Sequence, residues 1–218
     1  MSSKVVGASL PRVGGEARVT GAQEYTADVK LSGMAHAKLV TLDAGRARLI
    51  SIDKSAAEAL SGVLAVMTAA DLPQPVPRFG PHVDDRPVLA VGQANYHGEP
   101  VAIVVAETPE LAEEAARLVK VEYEELPAVF TVDAALAPDA ILVQDPSLRR
   151  AGDPLAQTNK FSEHHFGWGD VDAAALEADL IIEHTYEYPM VTQFAIEPHA
   201  CLAAPDGDGL AMWTTIQH

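Results

Sequence analysis

The 218 residues contain one cysteine, Cys201. A lone thiol makes no internal disulfide, and an iron–sulfur cluster takes about four thiolates. Redox chemistry must therefore use a cofactor held by other groups or by another chain. Cations are also scarce: 15 Lys and Arg stand against 31 Asp and Glu, a formal net charge of −16. Phosphate backbones and anionic membrane surfaces need basic clusters, so nucleic acid and lipid headgroups are excluded as main partners. No stretch approaches the ~20 apolar residues of a membrane span. The first 21 residues lack the apolar core of a secretory signal, so the expected location is the cytoplasm. His164 and His165 are adjacent and would point opposite ways in an extended segment. No Cys or His pair has zinc spacing, and Gly14-Gly15 lacks a phosphate-binding glycine pattern. No metal ligand is assigned.

What is present reads as a folded α/β (α+β) chain. Residues 1–24 read as an N-terminal arm broken by Gly14, Gly15 and Gly21. Its Arg12 and Arg18 are either solvated or docked on a partner. Residues 25–137 read as one domain with two strand–helix–strand passages. In the first, strands near 31–42 and 47–52 lead to a helix over 54–60 behind Asp53, then a strand over 63–67. In the second, Val101 to Ala106 (VAIVVA) is an apolar run suited to a strand buried on both faces. Thr108 caps the following helix, Pro109 takes its first position, and Val119 to Tyr123 follows as a strand. Residues 130–137 form one helical turn or a loop. Residues 138–165 are a polar linker, long enough that contacts must order it.

Residues 166–218 open a further unit. Asp170 caps a helix over 171–178. Leu180 to Tyr188 (LIIEHTYEY) alternates: Leu180, Ile182, His184, Tyr186 and Tyr188 share one face, and Ile181, Glu183, Thr185 and Glu187 the other. This pattern predicts a half-buried strand. A hairpin follows, with strands over 200–204 and 210–216 around the Asp206-Gly207-Asp208-Gly209 turn. Cys201 on its first strand is expected to be buried and inert. The hairpin stops on Gln217-His218, which suggests that another polypeptide or a longer chain continues the structure.

Six ordered segments resemble the molybdenum-binding large subunit of the xanthine dehydrogenase and aldehyde oxidase family. They are Arg12 to Asp28, with its Val19-Thr20-Gly21 and Tyr25-Thr26-Ala27-Asp28; Leu64 to Pro73; Tyr96 to Ala102; Val121 to Pro127; Gly169 to Asp179; and Phe194 to Gln217, with its Trp213-Thr214-Thr215-Ile216-Gln217. The resemblance implies an a/b hammerhead domain over 25–137, then the incomplete beginning of a molybdenum-cofactor-binding domain over 166–218. It implies a component of a molybdenum-dependent hydroxylase or dehydrogenase, oxidising an aldehyde or purine-like N-heterocyclic carbon with water as oxygen source. Electrons would pass to iron–sulfur clusters and FAD in partner subunits, a small and a medium chain. The molybdenum–molybdopterin would be shared with a chain carrying the rest of the domain.

The family's base glutamate lies outside this stretch, so no catalytic residue is assigned here and the chain alone is expected to be inactive. Gln217 matches the family glutamine at the cofactor, whose amide can donate a hydrogen bond; on residue type alone it is a strand-end residue. Glu197, between Ile196 and Pro198, is either a hydrogen-bonded carboxylate or one tuned for proton transfer. Glu99 is expected to cap backbone N–H groups. The alternative function is a non-catalytic scaffold that keeps the hammerhead fold.

Overall fold

The computed structural model describes residues 6–81 and 83–216. In chain order the helices are α1 Gly15–Thr20, α2 Ser55–Glu58, α3 Pro109–Leu118, α4 Val132–Leu136 and α5 Val171–Glu177. The strands are β1 His36–Thr41, β2 Ala47–Asp53, β3 Val63–Thr68, β4 Arg78–Phe79, β5 Arg86–Pro87, β6 Gln93–Ala94, β7 Pro100–Ala106, β8 Lys120–Glu125, β9 Cys201–Asp206 and β10 Gly209–Thr214. Compactness divides the chain into residues 33–174 and a second unit formed by residues up to Ser32 with those from Ala175 onward.

The 33–174 unit is built around β7. Its Val101, Ala102, Val104 and Ala106 are fully buried, as the apolar run predicts. β7 lies between β1 and β3 and is antiparallel to both, with Val104 opposite Lys38 on one side and Val66 on the other. A second sheet sets β2 between β6 and β8, again antiparallel. Each helix-linked pair therefore splits between sheets: β2 and β3 do, and so do β7 and β8. The architecture is α+β, and among the described residues no two strands pair in parallel.

α3 starts as its sequence dictates. Thr108 Oγ1 accepts from the Leu111 amide at 3.2 Å, and Pro109 occupies the first turn, where its missing N–H costs nothing. The helix buries Ala112 and Ala115 and packs on β1 and β7, small side chains permitting close approach. At α2, Asp53 accepts from both the Ser55 amide and hydroxyl, at 3.0 and 2.6 Å. Gly62 beyond it has φ 87°, a conformation that favours glycine.

The stretch after α4 has little regular structure but is tied down by two side chains. Asn159 Oδ1 accepts from the Val143 amide at 2.9 Å, and its Nδ2 donates to the Ala135 and Ile141 carbonyls at 3.1 and 2.9 Å. Arg149 donates to the Asp153 carboxylate at 3.1 Å and to the Lys160 carbonyl at 2.6 Å.

The second unit departs from expectation at α1 and over 180–188. Within the arm, residues 15–20 form α1. Gly14 and Gly21, at φ 68° and 75°, are its two ends rather than breaks, and Arg18 folds back onto the Val13 and Gly14 carbonyls. The expected strand over 180–188 is absent: among the described residues no helix or strand lies between Glu177 and Cys201. A strand needs a neighbour to complete its ladder, and among the described residues none pairs with this segment. The hairpin does form, with Cys201 opposite Thr214 and Gly207 at φ 59° in the turn.

Candidate functional site

The site implied by the sequence lies at the open end of the β9–β10 hairpin, where Gln217 follows; Gln217 itself lies outside the described residues. The end is built by Thr215. Its hydroxyl accepts from the Ala200 amide at 3.0 Å and donates to the Pro198 carbonyl at 3.2 Å, while its own amide donates to the Ala200 carbonyl at 3.2 Å. These bonds carry the ladder past Cys201–Thr214 to the Glu197-Pro198 turn. Nothing in the sequence marked Thr215 for this role beyond its β-branched type.

Glu197 is half-buried, and its carboxylate accepts from the Thr26 amide at 3.0 Å. Of the two options open for it, the structure shows hydrogen bonding to backbone. Thr26 begins a single 3-10 turn, Thr26–Asp28, closed by Asp28 accepting from the Tyr25 amide at 2.9 Å. Glu197 thus satisfies a donor at the start of that turn, 171 residues away in sequence. Three residues earlier, exposed Phe194 has φ 49°, which costs a non-glycine residue roughly 1–2 kcal/mol. Cys201 is exposed, correcting the expectation of a buried thiol. A two-stranded hairpin has one inward face: Leu202 and Ala204 take it, and alternation turns Cys201 outward.

Elsewhere, Glu99 sits in the turn between β6 and β7 with a relative exposure of 1%. Its carboxylate accepts from the Asn95 amide at 2.5 Å, the capping role expected of it. Burial pushes its pKa up, partly offset by that bond and by nearby Arg78. Asp71 is the opposite case. The Thr68 amide, the Lys54 ammonium and the Thr68 hydroxyl hold it down at about 2. A cleft of about 420 Å³, lined by Phe130, Val132, Val143, Arg149 and Phe161 among others, lies in the 33–174 unit. Arg149 is already spent on holding its own segment. Among the described residues no three His, Cys, Asp or Glu side chains cluster as metal ligands.

Two family models match. Residues 20–127 match the aldehyde oxidase and xanthine dehydrogenase a/b hammerhead domain, and residues 154–218 the molybdopterin cofactor-binding domain. The chain belongs to the xanthine dehydrogenase and aldehyde oxidase family. It is 33% identical over 207 residues to the nicotinate dehydrogenase large molybdopterin subunit of Eubacterium barkeri, covering 95% of this chain and 46% of that one. It is 36% identical over 208 residues to the carbon monoxide dehydrogenase large chain of Afipia carboxidovorans, covering 90% and 25%. Among solved structures, a Cu,Mo-CO dehydrogenase superposes with TM-score 0.75 at 33% identity over 97% of this chain and 28% of that one. The Desulfovibrio gigas aldehyde oxidoreductase gives 0.74 at 28% identity over 94% and 23%. The chain thus spans less than half the length of these relatives.

Residues 154–216 do not by themselves supply the positive charge that a molybdopterin site needs. A phosphorylated pterin needs cationic or clustered N–H donors. Residues 154–216 hold one Lys or Arg, Lys160, against ten carboxylates, and Lys160 is paired with Glu163 at 2.8 Å. No helix among the described residues is long and apolar enough to cross a membrane.

Proposed function

We propose that this chain is part of the molybdenum-binding large subunit of a cytoplasmic hydroxylase or dehydrogenase. The enzyme oxidises an aldehyde or N-heterocyclic carbon, with water as the oxygen source. One observation carries the reading: both domain models match this chain, in order, and the likeness to molybdenum-enzyme structures runs over nearly its whole length. Molybdopterin, where bound, supplies the two-electron oxidation; iron–sulfur and FAD chains take the electrons onward. The cationic phosphate-binding groups come from the remainder of the cofactor domain, because residues 154–216 hold a single Lys or Arg. This chain contributes the hammerhead unit, the hairpin ended by Thr215, and Gln217, whose carboxamide donates a hydrogen bond to the cofactor. It contributes no base.

The test is purification from the native source without dissociation, followed by metal analysis, flavin analysis and identification of associated chains. Molybdenum, iron and flavin with the remaining cofactor domain are expected, and Gln217→Ala should lower activity while leaving subunit composition intact. A chain free of molybdenum and of any such partner sequence sinks the catalytic reading and leaves a scaffold.

A further inference from the structure

From Val171 to Ile196 every residue is exposed. Half-burial resumes at Glu197 and includes Ala200, Leu202 and Thr215; in the arm, Tyr25 and Thr26 are half-buried too. The Thr26–Asp28 turn lies against β9. Among the described residues one hydrogen bond joins arm and hairpin, from the Thr26 amide to the Glu197 carboxylate at 3.0 Å. A short turn leaves its first amides without partners inside it. Asp28 answers the Tyr25 amide locally, whereas the Thr26 amide is answered by Glu197. Glu197 precedes Pro198, whose ring fixes φ, so the Glu197 backbone and the Pro198 carbonyl move together. That carbonyl accepts from the Thr215 hydroxyl at 3.2 Å, and Thr215 stands two residues before Gln217.

We propose that Glu197 is a positioning residue. It anchors the open end of the β9–β10 hairpin to the arm and so sets where Gln217 is presented to the cofactor. The inference rests on the reading above that Gln217 meets molybdopterin. An isolated two-stranded hairpin is marginal in water, and its open end is where it frays. The Ala200–Thr215 bonds lie at that end, so they depend on something outside the ladder. A carboxylate suits the task, because a charged acceptor holds an amide about twice as strongly as a neutral one. Glu197 touches no reacting atom and moves no proton; it acts through Pro198 and Thr215.

Hydrogen exchange and electron paramagnetic resonance on the intact molybdenum-containing assembly test this. In Glu197→Ala the Ala200 and Thr215 amides should exchange about 3- to 10-fold faster, and the spectrum of the reduced molybdenum should change. Glu197→Gln keeps an acceptor oxygen and should restore both. Thr26→Pro deletes the donor instead. Tyr25 before it is already extended, at φ −107° and ψ 166°, as a residue before proline must be, so the turn survives. Thr26→Pro should reproduce Glu197→Ala, and the double variant should exchange no faster than either single one. Native exchange in Glu197→Ala, or additive effects in the double variant, overturns the anchor and leaves the functional reading standing. Faster exchange with an unchanged spectrum, where Gln217→Ala does change it, overturns the positioning role alone. A spectrum unmoved by Gln217→Ala removes Gln217 from the cofactor, and the positioning role falls with it.

Discussion

Asn159 is one of the two side chains that tie down the 138–161 stretch. Replacing it with alanine deletes three hydrogen bonds, to the Val143 amide and to the Ala135 and Ile141 carbonyls. Each net bond contributes about 0.5–1.5 kcal/mol, which brackets the loss at roughly 1.5–4.5 kcal/mol. The Ile141 carbonyl is exposed and water can replace that partner, whereas the Val143 and Ala135 bonds are half-buried. The expected loss is therefore about 2–3 kcal/mol. Asn159→Asp separates the contributions: at neutral pH it keeps the acceptor for Val143 but sets a carboxylate against two carbonyls. It should be at least as damaging at neutral pH and recover partly in acid, where a protonated carboxyl donates once. Urea unfolding gives the free energy, and limited proteolysis between 138 and 165 gives the local effect. A loss below about 0.5 kcal/mol with unchanged proteolysis would refute the claim that this side chain orders the segment.

Asp71 and Glu99 should shape the acid limb of stability in opposite ways. Asp71 has a folded value of about 2 against an ordinary 3.8, so its stabilising contribution is complete above pH 3.8 and is lost as pH falls through 2. Asp71→Asn should flatten that limb in pH-dependent thermal unfolding; an unaltered profile would remove Asp71 from the account. Glu99 is raised from its ordinary 4.5, so ionising it in the folded state carries a cost that is absent below pH 4.5 and grows as pH rises above it. Glu99→Gln should therefore gain on the native protein as pH rises. Glu99→Ala, which leaves the half-buried Asn95 amide without its acceptor, should lose about 1–3 kcal/mol in acid, a loss that shrinks as pH rises. If the native protein and Glu99→Gln run parallel from pH 4 to 8, burial does not perturb this carboxyl.

The features legible in the sequence were those decided within a few residues. The α3 cap at Thr108-Pro109, the buried β7 run and the hairpin around Gly207 each follow from local backbone chemistry. The pairing of strands did not. Strand–helix–strand order is compatible with a parallel crossover, and only tertiary packing sends β7 and β8 into different sheets. α1 was hidden because glycines that break a pattern also bound a helix, and only their left-handed φ angles distinguish the cases. The Glu197–Thr26 bond joins groups 171 residues apart, a separation at which one sequence carries no pairing signal.

The absent strand at 180–188 is a different kind of miss, because the sequence was read for a property that belongs to more than this chain. Helical hydrogen bonds close within the helix, so α3 needs only its own residues and a surface to lie on. A strand's hydrogen bonds close on a neighbour, so its sequence states a demand that the rest of the fold must meet. β7 has that demand met on both sides by β1 and β3. β9 and β10 meet it for each other. Residues 180–188 make the same demand with no neighbour among the described residues, and the apolar face that a neighbouring strand and core would cover is left in water. The hammerhead region closes its sheets with its own strands, while the cofactor-domain region shows a strand pattern without the strand. That contrast is what a stretch spanning less than half of its relatives' length should produce wherever its partners in the sheet lie in the unmatched part.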